Sequence, residues 1–154
     1  MVSFMLNNNL KYCRQSLEIT QLALGKILGV SKQTVSNWEN NNDVIPLKKL
    51  VKFCNEYSYD IDYVIGLTNK NKGSQNITID SKVIGDNLKS LRKSLNFTQC
   101  KMAKECMISQ TAYSNYEQGI SLITTMTLYT ICKRHNISMN DMLKKESLNF
   151  LVTN

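Results

Sequence analysis

The sequence predicts an all-α chain of two tandem helical domains, and three observations carry that prediction. Only one Pro and six Gly occur in 154 residues, too few for a turn-rich β architecture. Apolar residues recur at helical spacing, as at Leu24 and Leu28 or at Leu47, Leu50, Val51 and Cys54. The second half also repeats the first. Displaced by 78 positions, residues 9–54 face residues 87–132 without a gap, and 16 of the 46 facing pairs are identical. Among the identities are Arg14, Thr20, Gln21, Ser31, Ser36, Asn37 and Glu39. Apolar character persists where identity fails: Leu28 faces Cys106, Val30 faces Ile108 and Trp38 faces Tyr116. An internal repeat sets the domain count at two, over 1–68 and 83–154, with 69–82 between them as a linker.

Taken in order, residues 8–17 carry Leu10, Cys13 and Leu17 on one helical face. Thr20 reads as the N-cap of a second helix whose inner face is Leu24 and Leu28. Gly29 supplies the positive φ of a tight helix-to-helix turn. Ser31 caps a third helix over 32–39, with Val35 and Trp38 inward. Pro46 starts a fourth helix built on Leu47, Leu50, Val51 and Cys54, and a short fifth holds Ile61, Val64 and Ile65. Residues 69–76 are polar, small and aperiodic, as a linker is, and 77–81 read as a short extended stretch. The second repeat follows the same plan over 84–95, 98–106, 109–118, 124–135 and 138–145.

The formal charge is +7 and the isoelectric point 9.2, a balance that favours an anionic partner such as nucleic acid. The absence of a long apolar run or a lysine-rich amphipathic stripe argues against a membrane. The first residues lack the basic and apolar regions of a signal peptide, so a cytoplasmic protein is expected. Cys13, Cys54, Cys100, Cys106 and Cys132 form no C-x-x-C pair and are expected to pack as small hydrophobes. With one histidine, His135, no metal site and no cofactor are expected. No phosphate-binding glycine loop and no nucleophile–base pairing is visible, so no enzyme is expected.

Two short helices joined by a glycine-containing turn are the signature of a helix-turn-helix. The stretch Thr20-Gln-Leu-Ala-Leu-Gly-Lys-Ile-Leu-Gly-Val-Ser-Lys-Gln-Thr-Val-Ser-Asn-Trp-Glu-Asn resembles the Cro/cI-type (XRE-like) helix-turn-helix family. So does the second copy, from Thr98-Gln-Cys-Lys-Met-Ala to Ser114-Asn-Tyr-Glu-Gln-Gly, and the likeness spans residues 8–68 and 84–146. It implies two five-helix lambda-repressor-like domains and a sequence-specific DNA-binding transcription regulator, expected to act as a repressor. It also implies that 32–39 and 110–117 are recognition helices lying in the major groove. Gln21 and Gln99 would then contact phosphate, and base-edge contacts would come from Lys32, Gln33 and Asn37 and from Gln110, Thr111 and Asn115.

The residue chemistry agrees. Gln and Asn match the donor and acceptor edge of adenine, and Lys donates to guanine. The short hydroxyls of Thr34, Ser36 and Ser114 suit phosphate or base contacts. Glu39 and Glu117 are expected to be structural, because phosphates repel a carboxylate. Trp38 and Tyr116 are expected in or near the core.

The second copy departs from the pattern. Met107 takes the place of the turn glycine, and Tyr113 stands where Val35 points inward, so it either repacks the core or swings outward. This copy is expected to bind DNA more weakly or to serve as an interaction surface. In the first copy Gly25 takes a small-residue position and Asn41 replaces the terminal glycine. Half-sites lie about 34 Å apart, within reach of both domains of one chain or of a homodimer. The homodimer is the expectation, with Ile61, Val64, Met139 and Met142 as exposed contacts. A protein-interaction module, antitoxin-like or bridging, is the alternative.

Overall fold

The computed structural model describes residues 6–145. Ten helices, and no strand among the described residues, make up the fold. They are α1 (Leu10–Ser16), α2 (Gln21–Leu28), α3 (Lys32–Glu39), α4 (Leu47–Tyr57) and α5 (Ile61–Ile65), then α6 (Ser81–Ser94), α7 (Gln99–Glu105), α8 (Gln110–Glu117), α9 (Thr125–His135) and α10 (Met139–Leu143). The chain divides into two compact units between Asn76 and Ile77.

Local chemistry starts the helices where the sequence predicts. Thr20 Oγ1 accepts from the Ala23 amide at 3.0 Å, and Ser31 Oγ from the Thr34 amide at 3.1 Å. Thr98 and Ser109 repeat the device on the amides of Lys101 and Ala112. Each such cap satisfies one of the orphan donors of the first turn. Gly29 ends α2 in the left-handed region at φ 72°, and the chain folds back so that the Val30 amide reaches the Gly25 carbonyl at 2.8 Å. Lys49 Nζ donates to the Leu28 carbonyl at 2.6 Å, tying α4 to the end of α2.

In the first unit Leu10, Leu24, Leu28, Val35, Leu50 and Val64 are fully buried, and Trp38 nearly so. Leu88, Met102, Tyr113, Leu128 and Met142 fill the second. Tyr113 therefore repacks the core rather than swinging outward. Cys106, in place of Leu28, is a smaller buried side chain in the same core. Met107 adopts φ 57°, and the Ile108 amide still reaches the Ala103 carbonyl at 3.1 Å. The second turn keeps the geometry of the first without its glycine.

Two expectations are corrected. Ile61, Val64, Met139 and Met142 are buried, at 2% exposure or less, so they offer no surface for a homodimer. A five-residue helix has too little length to keep an apolar face spare, and α5 and α10 spend theirs inside. Cys100 is exposed, as is Leu22 at the equivalent position of the first repeat (52%); the other four cysteines are buried. Within the stretch 69–82, residues are tied locally to the first unit. The Asp60 amide donates to Asn71 Oδ1 at 2.9 Å, Ser74 donates to Asn55 Oδ1 at 2.8 Å, and α6 already begins at Ser81.

That early start makes α6 twice the length of α1, 14 residues against 7. Asp80 caps it through the amides of Lys82 and Val83. Gly85 lets it pass over the end of α8, where a Cβ would collide with the Glu117 and Tyr116 carbonyls. The first unit fastens the same place differently. Asn8 Nδ2 donates to the Trp38 carbonyl and to Asn41 Oδ1, both at 3.0 Å.

Candidate nucleic-acid interface

The bounds of α3 and α8, Lys32–Glu39 and Gln110–Glu117, coincide with the expected recognition helices. Val35 and Trp38 anchor α3 from below. The helix then presents Lys32 and Gln33 to solvent, with Thr34, Ser36 and Asn37 half-buried beside them. Gln33 Nε2 donates to Asn37 Oδ1 at 3.0 Å, one turn along. Thr34 Oγ1 and Ser31 Oγ share a hydrogen bond of 2.9 Å, and Ser36 Oγ accepts from Asn40 Nδ2 at 3.2 Å. Of the six first-copy candidates, Gln33, Thr34, Ser36 and Asn37 thus already have local partners, while Lys32 stands exposed.

Beneath this face lies a buried polar cluster. Arg14 Nε and Nη2 donate to the two carboxylate oxygens of Glu39 at 2.8 and 2.9 Å, and Arg14 Nη1 donates to the Ile19 carbonyl at 2.8 Å. Gln21 Nε2 adds a third bond to Glu39, at 3.2 Å. The hydrogen bonds donated to Glu39 raise the Arg14 ionisation above its ordinary value, against the opposing effect of burial. The amide of Gln21 carries a second hydrogen and a carbonyl oxygen, so it can be held from behind and still meet a ligand.

The second unit reproduces the cluster. Arg92 Nε donates to both oxygens of Glu117 at 3.1 and 2.9 Å, Arg92 Nη1 to the Phe97 carbonyl, and Gln99 Nε2 to Glu117 Oε2 at 3.2 Å. Tyr113 lies buried beside this pair, and burial first, then the Glu117 charge, pushes its phenol far above the ordinary range. On the surface Gln99, Gln110, Thr111, Ser114 and Asn115 line one shallow polar depression. All five second-copy candidates are thereby brought together.

Electrostatics favour an anion here. The sole carboxylate on each of α3 and α8, Glu39 or Glu117, is buried on an arginine, so neither helix shows a free acid outward. Lys26 on α2 and Lys104 on α7 stand exposed at equivalent positions. Sequence reasoning assigned no role to these lysines, nor to Arg14 and Arg92. The signal was present in the repeat, since both pairs are identical and each arginine precedes its glutamate by 25 residues.

Comparisons with known proteins bear on both halves. The family model described as helix-turn-helix matches residues 10–64, and the one described as helix-turn-helix domain matches residues 85–148. The antitoxin PezA of Streptococcus pneumoniae serotype 4 is 36% identical over 66 residues, which is 43% of this chain and 42% of that protein. The chain thus spans less than half the length of this curated relative. A crystal structure of the clp gene regulator ClgR from Corynebacterium glutamicum aligns at 23% identity with a TM-score of 0.40, covering 43% of this chain and 70% of that one.

Proposed function

This chain belongs to the helix-turn-helix family through both of its repeats, and on that premise we propose that it is a sequence-specific DNA-binding transcription regulator acting as a repressor. One observation carries the reading: α3 and α8 turn amides, hydroxyls and a lysine outward, and each buries its only carboxylate against an arginine. Such a face meets phosphates without repulsion and offers base edges the donors and acceptors they require. In this reading Lys32, Gln33 and Asn37, with Gln110, Thr111 and Asn115, reach bases. Gln21 and Gln99, steadied by Glu39 and Glu117, bind phosphate, with Thr34, Ser36 and Ser114 as short hydroxyl contacts.

The partner is double-stranded DNA, and the working assembly is a homodimer whose contact lies outside the four buried residues named above. No described helix is long and apolar enough to cross a membrane, which accords with a cytoplasmic regulator. No catalytic step is assigned. The test is in vitro selection followed by retardation of the selected duplex. The double variant Gln33→Ala, Asn37→Ala is expected to fold normally and lose discrimination; selection of the same operator by that variant rejects the assignment.

A second reading has one observation in its favour, the likeness to a protein named as an antitoxin. In it one repeat holds a protein partner. Co-purification with a defined partner, without DNA retardation at low salt, favours it over the first.

A further inference from the structure

The two recognition faces occupy the same register on the same scaffold, yet their chemistry differs. Outward from α3 stand Lys32, Gln33 and Thr34; at the equivalent places on α8 stand Gln110, Thr111 and Ala112. Only Ser36 and Asn37 recur, as Ser114 and Asn115. The difference is also geometric. In the first copy the Gln33 amide is tied to Asn37 at 3.0 Å, so two amides act as one unit. One is left to donate and the other to accept, the pattern that adenine presents through N7 and N6. Thr111 has no amide with which to bridge to Asn115. Where the longer glutamine side chain would lie there is instead the depression lined by Gln99, Gln110, Thr111, Ser114 and Asn115. Exposed Thr111 is among its lining residues and Ala112 is next in sequence; both side chains carry a methyl, the kind of group that meets the thymine C5-methyl in the major groove. Lys32 completes the contrast, since a lysine at the start of a recognition helix selects guanine O6 and N7, whereas Gln110 in its place favours adenine.

We propose that the two repeats read unlike DNA elements. The first selects a guanine through Lys32 beside an adenine held by the Gln33–Asn37 pair. The second selects an adenine beside a thymine whose methyl group enters the depression next to Thr111. The site of one chain is then bipartite with two dissimilar halves. This rests on the DNA-binding reading above, and the experiment separates the two.

Selection from random duplexes with the full chain is expected to yield two distinct elements. Replacing thymine by deoxyuracil removes only the methyl group. In the second element it is expected to weaken binding about fourfold, the worth of one buried methyl, and in the first to leave binding unchanged. The variant Gln110→Lys, Thr111→Gln, Ala112→Thr gives α8 the outward residues of α3 and is expected to make the two selected elements alike. Circular dichroism checks its fold. The single exposed change Lys32→Ala gives an independent reading, relaxing the guanine position in one element alone by roughly tenfold. Selection of two identical elements, or of one element only, overturns the proposal and leaves the regulator standing. No enriched sequence at low salt removes both.

Discussion

Arg14 grips Glu39 with two nitrogens, at 2.8 and 2.9 Å, across 25 residues of sequence, and Arg92 grips Glu117 across the same interval. The carboxylates are almost wholly buried, at 0% and 3% side-chain exposure. Taking two charges out of water costs nearly what their attraction returns, so such a pair adds little net stability while intact. Losing one partner is different. Arg14→Ala leaves Glu39 buried and uncompensated and is expected to cost roughly 3 kcal/mol, confined to the first unit. Calorimetry is expected to show the first unit's transition shifted down and the second unit's unmoved. A uniform shift of one cooperative transition overturns this expectation.

Lys26 on α2 and Lys104 on α7 sit exposed at equivalent positions. If each neutralises a phosphate, Lys26→Ala and Lys104→Ala weaken binding to every duplex about equally. Each also lowers the slope of log K against log salt by about one. A salt titration of retardation measures this, and a slope equal to wild type for both variants removes these lysines from the interface.

Gly25 and Met107 invite opposite substitutions. A Cβ on Gly25 would come within 2.6 Å of the Val30 carbonyl, a backbone atom of the turn itself. Gly25→Ala is therefore expected to destabilise the first unit by about 1–3 kcal/mol, despite alanine's better helix propensity and although Ala103 fills the same place in the second copy. Met107 is strained at φ 57° and its side chain is 54% exposed. Met107→Gly is expected to stabilise the second unit by about 1 kcal/mol. Urea midpoints for the two variants decide both signs.

The buried thiols predict alkaline instability. Burial pushes Cys13 up to about 11 from 9.0. Burial, then the Glu105 charge, pushes Cys106 up to about 12 from 9.0. The folded chain thus keeps protons that the unfolded chain releases above 9.0. These groups leave stability flat below that pH and lower it progressively as pH rises toward 11 and 12. A series of urea titrations at rising pH is expected to show this decline, lessened by Cys13→Ala. Exposed Cys100 is expected to react with a thiol reagent in the native state well before the other four.

What the sequence made legible was what local chemistry decides. The bounds of α3 and the caps Thr20 and Ser31 follow from a hydroxyl meeting an amide three residues on, and Gly29 from a φ that few side chains tolerate. The inward face of α3 followed from the spacing of Val35 and Trp38. What stayed hidden depends on the third dimension. Periodicity marked Ile61, Val64, Met139 and Met142 as apolar but could not say that the domain's own core covers them. Cys100 looked like core by its pairing with Leu22, and Leu22 proved exposed. The site residues came from a resemblance. The clamp behind Gln21 needed coordinates, because nothing local joins Arg14 to Glu39.

The position of that clamp has an evolutionary consequence. Arginine and glutamine hold the helix through its buried glutamate, and the side chains proposed to meet bases stand on its other face, so a change on that face leaves the clamp whole. Between the repeats the arginine, glutamate and glutamine are identical, while three of the five outward positions of the helix differ. A gene built this way can acquire a new vocabulary by single substitutions without passing through an unfolded ancestor.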